Sequence, residues 1–177
     1  MHAKRHLLAL CGLAACTAAA FYGWSFFSLE SQPATAAVAA QAINHATWPS
    51  YENSVYRYSL RYPPDLSAQE YPEADGAMST VFSNTTTGQG FQVYATPYEH
   101  AAITKERLAL DLSSGVMDNA GDLSVDGARA RTFFSTNDAM GGTYEVWVIN
   151  EGFLYEIVTH DVHATWLDAI LETWHFL

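Results

Sequence analysis

Polar and apolar positions alternate along most of the chain after residue 50. In Tyr56, Tyr58, Leu60 and Tyr62 against Arg57, Ser59 and Arg61 the period is two, so the spacing predicts a strand over 51–62. Pro63-Pro64-Asp65 ends it. A second strand is expected at Met78 to Ser83. The turn Asn84 to Gly90 then leads to a third, Phe91 to Thr96. Gly88-Gln89-Gly90 reads as a hairpin loop, since no third glycine or helix follows to cradle a phosphate.

The period then changes. Thr104 suits an N-cap, and Leu108, Leu112, Gly115 and Val116 fall on one helical face, with Asn119-Ala120-Gly121 as the expected stop. Strand alternation returns at Leu123-Ser124-Val125, and Asp126-Gly127 turns the chain into Ala128 to Ser135. Gly141-Gly142 opens a strand over Thr143 to Asn150, which Glu151-Gly152 joins to Phe153 to His160.

A two-residue loop at that point pairs Asn150 with Phe153, Val148 with Tyr155, Val146 with Ile157 and Tyr144 with Thr159. That face is apolar and calls for a helix over it, with Trp166 and Ile170 as packing residues. The opposite face is mixed: Glu145, Trp147 and Ile149 against Leu154, Glu156 and Val158. Arg129 and Arg131 share one face of their strand and are candidates to pair with Glu145 and Glu156. Asp161 is expected to cap a last helix in which Val162, Trp166, Ile170 and Trp174 recur every four residues.

The first 49 residues differ in kind. Leu7 to Leu29 is 23 residues without a charged side chain. As a helix at about 1.5 Å per residue it spans roughly 34 Å, enough for a hydrocarbon core of about 30 Å. Lys4 and Arg5 precede it and the next basic residue is Arg57, which places the later residues outside the cytoplasm, as in a bacterial cell membrane. The segment 1–29 therefore reads as a membrane anchor or signal segment, 30–49 as an alanine-rich linker, and 50–177 as an extracytoplasmic domain. Two other processing routes stay open. Leu13-Ala14-Ala15-Cys16 looks like a lipobox with Cys16 as the lipidation site, and Ala34-Thr35-Ala36 offers a cleavage pattern.

The chain carries 8 Lys+Arg against 19 Asp+Glu, a formal charge of −11. Nucleic-acid binding needs clustered basic residues, and this balance argues against it. Both cysteines, Cys11 and Cys16, lie in the apolar span, so the outer domain has no disulfide and no thiolate nucleophile.

Tyr58-Ser59-Leu60-Arg61-Tyr62-Pro63-Pro64-Asp65 resembles the opening of PsbP-like domains, and Val125 to Ala130 resembles a later stretch of them. Gly152 to Val158 followed by Ile170 to Phe176 is similar to that family's closing strand and helix. The resemblance covers about residues 50–177. It implies an α+β fold, an antiparallel β-sheet sandwiched by helices in an α/β/α arrangement. It also implies an accessory or assembly factor rather than a catalyst, and it supplies no functional residue to carry over.

Candidate chemistry is sparse. His160-Asp161-Val162-His163 holds metal-ligand types, with two imidazoles at i and i+3 and His175 or a carboxylate to complete a set. The bland alternative makes Asp161 a helix cap and both histidines surface groups. Asp122, Ser124, Asp126 and Gly127 imitate the start of a calcium loop, but the twelfth position is Phe133 and the motif fails. No G-x-S-x-G or S-x-x-K signature is present. No cofactor is implied.

The expected function is therefore a membrane-tethered binding or accessory domain, contacting an envelope or membrane protein. Trp147, Glu145 and Glu156 are its candidate contact residues if the mixed face is open. A covering first helix, through Leu108 and Leu112, would bury Trp147 instead. The alternative function is a metal- or small-ligand-binding protein or hydrolase using His160, His163 and nearby carboxylates.

Overall fold

The computed structural model describes residues 45–112 and 114–177. The apolar span, Cys16 and the spacer up to residue 44 lie outside the described residues. Among the described residues no helix is long and apolar enough to cross a membrane.

Asn53 divides the first alternating stretch. Its side-chain oxygen accepts the Tyr56 N–H at 3.0 Å, and Arg57 takes a left-handed φ of 55°. The expected single strand is therefore a hairpin of β1 (Ser50–Asn53) and β2 (Tyr58–Arg61). The chain continues through β3 (Ser67–Pro72), β4 (Met78–Ser83), β5 (Gly90–Pro97) and α1 (Lys105–Asp111). Next come β6 (Asp118–Val125), β7 (Ala128–Asn137), β8 (Gly141–Asn150) and β9 (Phe153–His160). A single 3-10 turn at Asp161–His163 then leads to α2 (Ala164–Leu171) and β10 (His175–Phe176).

Seven strands form one antiparallel sheet in the order β3-β4-β5-β9-β8-β7-β6, and β1-β2-β10 form a small second sheet. The β8–β9 register pairs Asn150 with Phe153, Val148 with Tyr155, Val146 with Ile157 and Tyr144 with Thr159, as the alternation requires.

The apolar face of the large sheet is closed by two elements. Phe91, Val93, Val146, Val148 and Ile157 join Leu167, Ile170 and Leu171 of α2 in one buried cluster. Trp166 meets Phe91 edge-on at 5.9 Å. The small sheet covers the rest, with Tyr58 stacked on Trp174 at 4.6 Å and both rings about 1% exposed. Buried hydroxyls need partners, and these have them: Tyr58 donates to Thr80 Oγ1 at 3.1 Å, Tyr155 to the Tyr56 carbonyl at 2.7 Å.

The helical layers are thinner than the sequence implies. Helices on both faces were expected, but one face is shared by a sheet and an eight-residue helix, and the other has only the seven residues of α1. The first helix stops at Asp111, not at Asn119. Ser114 offers its hydroxyl to the Val116 N–H at 3.1 Å, an alternative to helix continuation, and Gly115 takes φ 66°. Asn119-Ala120-Gly121 belongs to β6, where the register shifts between Asp118 and Gly121 and Asn119 sits at φ 51°. Val162, expected on the apolar stripe, is 80% exposed, because the 3-10 turn rotates it away from the stripe.

Burial pushes the Tyr155 hydroxyl up to about 12. Burial also raises Tyr58, and raises Tyr144, whose proton is donated to Asp168 at 2.8 Å. Above the ordinary value of 10.0 the unfolded chain has released protons that these folded tyrosines keep. Stability should therefore fall as pH climbs from about 10 towards 12. Tyrosinate absorbance at 295 nm should grow for these groups only together with loss of circular dichroism. Full ionisation with an intact dichroism spectrum would contradict this.

Gly90 marks a close approach between β4 and β5. A Cβ there would lie 2.4 Å from the Phe82 carbonyl oxygen. Gly90→Ala should cost about 1–3 kcal/mol in urea denaturation, since backbone must part to admit the methyl. A neutral result would show that the two strands separate freely at this end.

Candidate functional site

The mixed face of the sheet carries the charged and polar side chains. Register places Arg131, Trp147 and Glu156 on one row, and Phe133, Glu145 and Val158 on the next. Thr104 starts α1 above them, its hydroxyl accepting the Arg107 N–H at 3.1 Å. Leu112, Tyr98, Phe133, Trp147 and Leu154 then form a second buried cluster.

Trp147 is 1% exposed and its indole N–H donates to Glu145 Oε2 at 2.8 Å. It takes the covered alternative, packed with Leu112 and Leu154. Glu145 also accepts the Thr143 hydroxyl at 3.2 Å. Glu156 is buried, at 5% exposure, and pairs with Arg107 at 3.2 Å. Neither carboxylate presents a free surface charge.

Arg107 is the hub of this face. Its guanidinium pairs with Asp111 one helical turn on, reaches Glu156, and lies 5.7 Å from the Tyr94 ring centre. Burial alone would lower its pKa, but Glu156 and Asp111 outweigh that and hold it raised. The expected pairing of Arg129 and Arg131 with Glu145 and Glu156 does not form. Both arginines face Asp122 on β6, Arg129 with a forked contact at 2.9 and 3.3 Å and Arg131 at 3.7 Å. The hydrogen bonds from Arg129 hold the Asp122 carboxyl below its ordinary value.

Two concavities flank α1. One lies among Glu73, Gln92, Tyr94, Asn137, Glu145 and Glu156 and has a volume of about 50 Å³. That is room for a few waters. The other is a groove of about 750 Å³ between α1, residues 101–103 and strands β6 to β8. Its floor is Ile103, Leu108, Met117 and Ile149, all half-buried, and its rim is Asp122, Arg129 and Arg131. The groove runs beside α1, between Leu108 of the helix, residues 101–103 ahead of it and Met117 after it.

The histidines do not converge. His160 and His163 have ring centres 6.5 Å apart, and His163 leans on Trp166 at 5.8 Å. The Asp161 carboxylate accepts the Val162 N–H at 2.7 Å but does not cap α2, whose N-cap residue is His163, and it lies 2.4 Å from where a Cβ on Gly142 would stand. His175 lies instead against Asp126, at 3.5 Å. Among the described residues no group of three or more His, Cys, Asp or Glu is placed to hold a metal ion.

The arrangement of this domain recurs in the solution structure of cyanobacterial PsbP (CyanoP) from Synechocystis sp. PCC 6803. The TM-score is 0.52, over 76% of this chain and 95% of that chain. The fold is PsbP-like. Sequence identity with the cyanobacterial protein is 16%, so the likeness concerns the fold alone. No family model and no curated protein matches the chain. Within the PsbP-like domain, Arg107, Ile103 and Met117 are the site residues that sequence reading did not single out. Arg107 and Asp111 at i and i+4 were a legible pair, whereas the approach of Glu156, 49 residues on, had no local signal.

Proposed function

We propose that the chain is a membrane-tethered extracytoplasmic binding domain that works through protein–protein contacts. The observation that carries this reading is the groove beside α1, whose half-buried apolar floor and charged rim are the anatomy of a contact surface. The apolar span Leu7–Leu29, with Lys4 and Arg5 before it, supports the tether. The competing hydrolase reading needs carboxylates or histidines around a substrate-sized pocket. Glu73, Glu145 and Glu156 do share a pocket, but one of about 50 Å³, with Glu156 engaged by Arg107.

The test is recovery of a partner from native membranes with the full-length chain, compared with an Ile149→Asp variant. Specific recovery by the unaltered chain supports the reading, and its failure under mild detergent opposes it. Intact mass tests the tether: full mass in the membrane fraction supports it, a diacylated species beginning at Cys16 replaces a span by a lipid, and a soluble species beginning near Ala37 defeats both.

A further inference from the structure

The groove has a composition that specifies its occupant. We propose that an extended peptide segment of the partner, bearing bulky apolar side chains and a carboxylate, lies in the groove with its apolar side chains on the floor and its carboxylate at the Arg129–Arg131 rim. This rests on the binding function proposed above and names the chemistry of the partner.

Two observations carry it. The first is charge. Past residue 30 the chain has 6 basic residues against 18 acidic ones, yet two of the six, Arg129 and Arg131, stand on this rim. Of the others, Arg107 is engaged by Asp111 and Glu156, and Arg57 pairs with Glu151. Both rim arginines rely on the single carboxylate of Asp122, and the Arg129 side chain is 80% exposed. The rim thus has one excess positive charge in an acidic domain. A guanidinium fork recognises a carboxylate by paired hydrogen bonds, which an ammonium on the partner cannot replace.

The second is the floor. Ile103, Leu108, Met117 and Ile149 come from a loop, a helix, an irregular segment and a strand, and together line about 750 Å³. That volume lies in the range of built binding clefts, about 300–1,000 Å³. Methionine on such a floor adapts to branched and aromatic side chains alike.

The probe is an acetylated, fluorescein-labelled nonapeptide with leucine, phenylalanine and glutamate at alternate positions and serine between them. Binding is read by fluorescence anisotropy on the full-length chain in zwitterionic nanodiscs, with empty nanodiscs as the blank. Saturable binding is expected. It should weaken about tenfold or more when lysine replaces the glutamate or when the leucine and phenylalanine become serine. Arg129→Glu combined with Arg131→Glu should weaken it similarly, as should Ile149→Asp, while Val55→Asp should leave it unchanged. Val55 is 71% exposed on the β1–β2 turn. The arginine variants decide the matter if Ile149→Asp fails to fold. Equal affinity for the glutamate and lysine peptides, indifference to the arginine variants, or no binding at millimolar protein would overturn the proposal. If the arginine variants still recover the native partner, the groove is wrong and the binding function stands. If the unaltered chain recovers none, the function itself fails.

Discussion

Arg107→Met should lower stability by about 3–5 kcal/mol in equilibrium urea denaturation, because it leaves buried carboxylates without their counter-charge. The Arg107 side chain is 14% exposed, Asp111 2% and Glu156 6%. Water cannot easily replace the lost guanidinium at such burial. Methionine retains most of the stem, so the loss reports charge rather than volume. A triple variant with Asp111→Asn and Glu156→Gln should recover much of the deficit, since it removes the charges as well as their partner. A loss under about 1 kcal/mol for the single variant would mean that the ion cluster is solvated and that α1 is not fastened through it.

Trp147→Ala should cost a similar amount, about 3–5 kcal/mol, through the cavity it leaves under α1. The indole lies 5.5 Å from the Phe133 ring, packs with Leu112 and Leu154, and satisfies Glu145 by hydrogen bonding. Its deletion therefore also strips a half-buried carboxylate of a donor. Trp147→Phe should be milder, losing the hydrogen bond but keeping most of the volume. Near-normal stability of the alanine variant would show that Trp147 faces solvent in solution and would return it to the set of contact residues.

Local pattern determined what was legible. The β8–β9 hairpin has strict alternation on both arms and a two-residue turn, with Glu151 at φ 43° and Gly152 at φ 87°, so its register could be written from the residues. The helix Ala164–Leu171 followed from a four-residue repeat only in part: Trp166 and Ile170 pack towards the sheet, whereas Val162 lies before the helix and is exposed, and Trp174 lies after it. β3 escaped notice because it is an edge strand with an exposed or half-buried pattern throughout, and Ser67 to Pro72 shows no apolar alternation. Asn119 and Gly121 were legible as left-handed or flexible positions, but that property serves a strand irregularity as well as a helix stop. The groove had no sequence signature. Its floor joins Ile103, Leu108, Met117 and Ile149, residues of four separate segments that only the tertiary fold brings to one place.

The binding account depends on this one surface. The most direct measurement places a photoreactive benzoylphenylalanine at position 149 of the full-length chain in native membranes, and at position 55 as the control. The account predicts a discrete adduct with a membrane-associated protein from position 149, competed by the glutamate nonapeptide, and none from position 55. No adduct from position 149, or the same adduct from both positions, would contradict it.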